Sequence, residues 1–148
     1  MYLQKSRLLL FHVLFPLLIG GLIYISFRSK ALLLFRWFDE IKISGFTNLI
    51  RCTLSPMKKY IPNWAIYSLP DGLWVYALSS SLFIIWGKDC LKSFYRVLII
   101  IAFAPCLEIM QFYNILPGTF DIIDLIFYII ASTVSVLIFK LKFKKYEN

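Results

Sequence analysis

The sequence predicts an all-α membrane protein: a four-helix transmembrane bundle with one or two interfacial helices in its long first loop. Three observations predict it. Hydrophobic residues make up 60% of the 148 and aromatic residues 18%, above the roughly half of an ordinary soluble domain. The mean hydropathy is +0.76. The excess is gathered into four runs, each long enough to cross or nearly cross a bilayer. Four such helices and one long loop leave room for a single membrane domain over residues 1–148.

The first span is expected at about 8–27. It carries His12, a Pro16 expected to kink it, and the pair Gly20-Gly21, which would let another helix approach closely. Lys5 and Arg7 precede it as in a signal peptide, but the apolar stretch is too long and lacks a small-residue cleavage site, so a retained anchor fits better. Residues 28–69 form the long connection. Ala31 to Phe38 and Phe46 to Leu54 read as short interfacial helices, with Arg36, Trp37 and Arg51 as anchors. Pro56, Pro62 and Pro70 forbid one continuous helix there.

The second span, about 70–86, opens on Pro70 and Asp71, both suited to a helix start. Its Ser79-Ser80-Ser81 reads as a packing surface. A short basic turn, Gly87 to Tyr95, leads to the third span, about 96–113, which Pro105 interrupts and which carries Glu108 and Gln111. A tight turn, Asn114 to Thr119, leads to the fourth span, about 121–139, opened by Asp121 and Asp124 and closed by Lys140, Lys142, Lys144 and Lys145.

The formal net charge is +8. The basic residues flank the apolar runs, where they meet lipid headgroups, so the bilayer and not nucleic acid is the expected partner. Cys52, Cys90 and Cys106 lie in separate segments, and no pair has ligand spacing. No disulfide framework, cysteine-ligated metal site or cofactor is expected. Four spans put both termini on one side. With that side cytoplasmic, it holds nine basic residues (Lys5, Arg7, Lys88, Lys92, Arg96 and the four tail lysines). The long-loop side holds seven (Arg28, Lys30, Arg36, Lys42, Arg51, Lys58 and Lys59). The positive-inside rule then favours cytoplasmic termini.

One inference holds in either orientation. Span two begins, span three ends and span four begins on the side of the long loop. Asp71, Glu108, Gln111, Asp121 and Asp124 therefore gather at one end of the bundle, with Arg28 and Lys30, while His12 lies toward the other. Asp71 and Asp121 also suit ordinary first-turn roles. Glu108 and Asp124 sit deeper than a cap needs, and an ionisable residue inside a span suggests function. Three uses follow: a polar pocket for an amphiphile, acid–base chemistry on it, or an oxygen-ligand site for a divalent cation. No catalytic residue is identified.

The segment Leu107-Glu108-Ile109-Met110-Gln111, followed by Leu116-Pro117-Gly118-Thr119-Phe120-Asp121-Ile122-Ile123-Asp124-Leu125, resembles the VanZ-like family of small bacterial membrane proteins. That family's pattern is Glu-x-x-Gln ending one span, a Pro-Gly-type turn, and Asp-x-x-Asp opening the last span. The chain has Gly118 or Thr119 where the family often has arginine, and Tyr128 and Ala131 where it often has asparagine and glycine. The resemblance implies a bacterial inner-membrane protein and a link to sensitivity to teicoplanin-type glycopeptide antibiotics.

The expected function is to bind or modify an amphiphilic or lipid-linked envelope ligand at an outward polar mouth. Glu108, Gln111, Asp121, Asp124 and Asp71 would line it, and Arg28, Lys58 and Lys59 would contact phosphate. The alternative is a non-enzymatic accessory subunit docking a larger membrane protein. A proton or cation pathway is disfavoured, because span three has no polar group on its inner half.

Overall fold

The computed structural model describes residues 2–87 and 89–145, with the side chains of residues 2–4, 144 and 145 excepted. Lys88 and the side chains of Lys144 and Lys145, which enter the charge balance above, lie outside that description. The described residues form helices, turns and no strand. Four helices are long and apolar enough to cross a membrane: span one, Lys5–Phe27; span two, Leu69–Trp86; span three, Phe94–Phe112; and span four, Ile122–Phe143. The chain is a multi-pass all-α membrane bundle.

Span one absorbs its proline without a break. Pro16 has no N–H to offer the His12 carbonyl and its ring crowds that carbonyl. The turn before it widens into a π-helix over Leu10–Leu14, with the Phe15 N–H donating to the Leu10 carbonyl. Such widened turns often mark functional positions, and this one holds His12. Span three likewise runs unbroken from Phe94 to Phe112 through the buried Pro105, so the proline does not interrupt the helix as its type suggests. Membrane helices tolerate proline where neighbours re-satisfy the freed backbone group.

The long connection contains more helix than the sequence suggests. Leu33–Glu40 and Ser44–Leu54 are the two expected short helices, and a 3₁₀ turn, Ser55–Tyr60, and a short helix, Asn63–Tyr67, follow. Arg36 and Trp37 are exposed, as interfacial anchors would be. Arg51 is not an anchor of that kind. It turns inward, lies over the Phe35 ring (5.1 Å) and donates to the Ile25 carbonyl at 2.6 Å. The last carbonyls of a helix lack intrahelical donors, so Arg51 ties the connection to the end of span one.

Span two is the hub. It packs along its length on span four and on span one, while it meets span three only sparsely. Gly72 permits the close approach to span four: a Cβ there would lie 3.1–3.2 Å from Phe127. Gly20 does the same for span one, where a Cβ would fall 2.6 Å from Trp74 Nε1 and 3.1 Å from the Pro70 carbonyl. Gly21 has nothing within 4 Å of a built Cβ, so one glycine of the pair makes the contact. Gly20→Val is accordingly expected to destabilise the bundle by about 1–3 kcal/mol, read as a lower thermal midpoint in detergent, and Gly21→Val to leave it near wild type. Equal losses would assign the effect to the helix itself and not to the contact.

The two ends of the bundle differ in character. Phe83, Ile84, Cys90, Ile100 and Phe139 form a buried apolar cluster at the end away from the long loop, with Phe83 and Phe139 stacked 5.3 Å apart. Midway, Ser80 and Ser135, both fully buried, hydrogen-bond across spans two and four at 3.0 Å. That is the packing role expected of the serine run. The other end carries the acids.

Candidate functional site

Span three ends in a left-handed Asn114 (φ 56°), a conformation asparagine tolerates. The Ile115 N–H turns back to the Met110 carbonyl at 2.9 Å. The following Gly118 has φ +145°, and a Cβ there would lie 2.7 Å from the Gln111 side chain. The turn therefore folds back over the end of span three because its tightest residue has no side chain. It delivers Asp121 to Glu108: the Asp121 N–H donates to Glu108 Oε1 at 2.7 Å, and Glu108 is only 3% exposed.

Asp121 itself is the N-cap of span four, with its Oδ1 accepting from the Ile123 N–H at 2.8 Å. This satisfies one of the donors a helix start leaves open. Its side chain has a structural task, which was one of the two roles the sequence allowed. Asp124, one turn on, lies beside the buried Ser68 hydroxyl, and its Oδ1 is buried without a hydrogen-bond partner. Asp71, Glu108 and Asp124 are close enough to repel one another.

Arg28 answers that negative charge from the end of span one. Its Nη2 donates to Asp71 Oδ2 at 3.1 Å and to the Tyr67 carbonyl at 2.8 Å. The guanidinium lies 5.2 Å from the Tyr24 ring centroid and 5.0 Å from that of Tyr67, in the range of cation–π attraction. Arg28 is thus paired within the fold through Nη2, and its Nε is buried without a hydrogen-bond partner. Lys30 donates to Asn48 Oδ1 at 2.6 Å. Lys58 and Lys59 are exposed on the 3₁₀ turn, with Lys59 Nζ over the Tyr60 ring at 4.8 Å, and neither lines the cleft described next.

The cleft lies between spans two and three and holds about 270 Å³. Its polar wall is Asp71, Glu108, Gln111 and Tyr128, and Trp74, Leu78 and Phe103 are among its apolar lining. Of the expected site residues, the structure brings Asp71, Glu108 and Gln111 to one cavity and holds Arg28 against Asp71. Tyr128 was missed. Its signal was its position one turn after Asp124, on the face of span four that also carries Ser132 and Ser135. Among the described residues, no group of three or more His, Cys, Asp or Glu is placed to hold a metal ion. The cleft can accept hydrogen bonds and cations at one wall and apolar matter at the other.

A second polar group, also missed, occupies the far half of the bundle. Lys142 Nζ donates to His12 Nε2 at 2.8 Å, which leaves Nδ1 as the ring N–H facing the Tyr76 hydroxyl at 2.6 Å. These bonds join spans one, two and four, so His12 is a satisfied helix-packing histidine. Comparison of the chain with family models, with curated proteins and with solved structures gives no match.

Proposed function

We propose that this chain is a bacterial inner-membrane protein that binds, and acts on or presents, an amphiphilic envelope ligand at the polar cleft. One observation carries the reading: Asp71, Glu108, Gln111 and Tyr128 converge from three spans on one cavity beside apolar walls. Small-molecule sites have this make-up, an apolar cavity with a few convergent polar groups. Ionisable side chains are costly inside a span, and a bundle needing only cohesion has the Ser80–Ser135 pair as a cheaper device. The likeness of Glu108 to Asp124 to the VanZ-like pattern supports a bacterial envelope setting and an effect on sensitivity to teicoplanin-type glycopeptides. The balance of basic residues supports cytoplasmic termini, with the cleft toward the outer face.

The test pairs two conservative changes with two readouts. Glu108→Gln keeps an oxygen for the Asp121 N–H, and Asp124→Asn keeps the shape of its side chain. Folded yield in detergent is expected to stay near wild type while the cellular phenotype, glycopeptide sensitivity, shifts to that of a deletion strain. Normal sensitivity in both folded variants would remove the carboxylates from function. It would leave the accessory-subunit reading, in which the chain purifies only with a larger membrane protein.

A further inference from the structure

The polar cleft continues into a second, apolar cavity of about 250 Å³ in the same seam between spans two and three. Val75, Leu78, Phe103 and Ala104 line both, and beyond them the second runs to Trp86 and Ile99. The two cavities form one groove, possible because span two packs on spans one and four and leaves span three largely unmet. Leu78, Phe103 and Ile99 along its edge are 44%, 53% and 54% exposed, so in a bilayer the groove opens sideways to lipid. From Val75 to Trp86 is eleven residues of helix, about 16 Å at about 1.5 Å per residue. That is close to half of a hydrocarbon core about 30 Å thick, the depth of one leaflet and the reach of one of its acyl chains.

The mouth of this groove also selects by charge. Its polar groups are two carboxylates, an amide and a phenol, and no cation is among the described residues that line it. The nearest, Arg28, is held by Asp71 and the Tyr67 carbonyl. A phosphate lodged there would meet two carboxylates, and the cation beside them, Arg28, is already ion-paired with Asp71. A primary ammonium would meet acceptors on two sides, and hydrogen bonds between charged groups are among the strong ones.

We propose that the groove binds a bilayer lipid whose headgroup ends in a primary ammonium, with the ammonium among Asp71, Glu108 and Gln111 and one acyl chain lying between spans two and three. This rests on the amphiphile reading above and names its ligand class. The two fail separately, because the phenotype of Glu108→Gln tests that reading and direct lipid labelling tests this one.

The protein is reconstituted in phosphatidylcholine nanodiscs with a phosphatidylethanolamine probe carrying a photoreactive group in its acyl chain. Labelled peptides are expected from Leu69–Trp86 and Phe94–Phe112. Unlabelled phosphatidylethanolamine is expected to compete about tenfold better than phosphatidylglycerol, in line with about 1.4 kcal/mol for one charge-assisted contact. Leu78→Trp, which fills the groove from an exposed position, is expected to abolish labelling there. Ile85→Trp, 70% exposed on the same helix and outside the groove, is expected to leave it unchanged. Glu108→Gln is expected to keep the label and lose the preference between headgroups. Equal competition by phosphatidylglycerol would overturn the ammonium assignment. Labelling spread evenly over all four spans, or unmoved by Leu78→Trp, would overturn the groove itself.

Discussion

Glu108→Ala is expected to lower folded yield and thermal midpoint sharply, where Glu108→Gln does not. The Asp121 N–H sits at the start of span four and has the Glu108 carboxylate oxygen as its acceptor at 2.7 Å. Truncation to alanine leaves that donor without an acceptor in a place where Glu108 was 3% exposed. An unmet buried donor costs about 1–3 kcal/mol, and more when the lost bond involved a charged group. The cavity left by the missing side chain adds to this. Glutamine keeps the oxygen and the volume and changes the charge. The pair of variants therefore separates two tasks of one residue, holding the start of span four and offering a charge to the cleft. Thermal unfolding in detergent reads the first, and headgroup selectivity reads the second. If alanine and glutamine lower the midpoint equally, the charge of Glu108, and not its hydrogen bond, holds the turn.

The spans were legible because each is a long apolar run, which only helices can carry across lipid. Their ends shifted by a few residues where apolar periodicity and charge disagree. The helix of span four runs to Lys145, past the expected 139, and Lys142 on it points into the bundle toward His12. The gathering of acids at one end was legible from topology alone, since antiparallel spans of known order leave no other arrangement. Their division of labour was not. Asp121 and Asp71 read alike as first-turn acids, yet Asp121 caps its helix and Asp71 faces the cleft. The difference lies in Arg28, whose reach across forty-odd residues to Asp71 has no periodic signal in the sequence. Lys58 and Lys59 read as phosphate contacts because the long loop that carries them lies on the same side of the membrane as the acids. The 3₁₀ turn that carries them leaves both exposed and outside the lining of the cleft, and that turn follows from local proline chemistry rather than from hydrophobic pattern. The groove was invisible for a related reason. It exists because spans two and three fail to pack closely, a property of three helices competing for one hub, which no single helix encodes.

Arg28→Met is expected to destabilise the bundle by about 3 kcal/mol, toward the lower end of what breaking a buried ion pair costs, because the Arg28 and Asp71 side chains retain 21% and 20% exposure. The variant removes the donor to the Tyr67 carbonyl and leaves Asp71 without its counter-charge beside Glu108 and Asp124, which repel it. Lysine is not expected to rescue. The guanidinium binds Asp71 and a backbone carbonyl from one nitrogen while lying against the Tyr24 and Tyr67 rings. A compact, strongly hydrated ammonium does not make both bonds while spreading a planar group against two rings. The informative variant is the double one. Arg28→Met with Asp71→Leu replaces the pair by apolar groups of similar size, a change that is often neutral or stabilising for buried pairs. It is expected to recover most of the lost midpoint in detergent. Recovery of fold would show that the pair is dispensable for stability and leave Asp71 free to be judged on function alone. Headgroup-selective lipid labelling should then fall in the folded double variant, since one of the two carboxylates of the cleft is gone. A double variant that unfolds as readily as Arg28→Met would instead put the Tyr67 carbonyl, and the seating of the short helix before span two, at the centre of what Arg28 does.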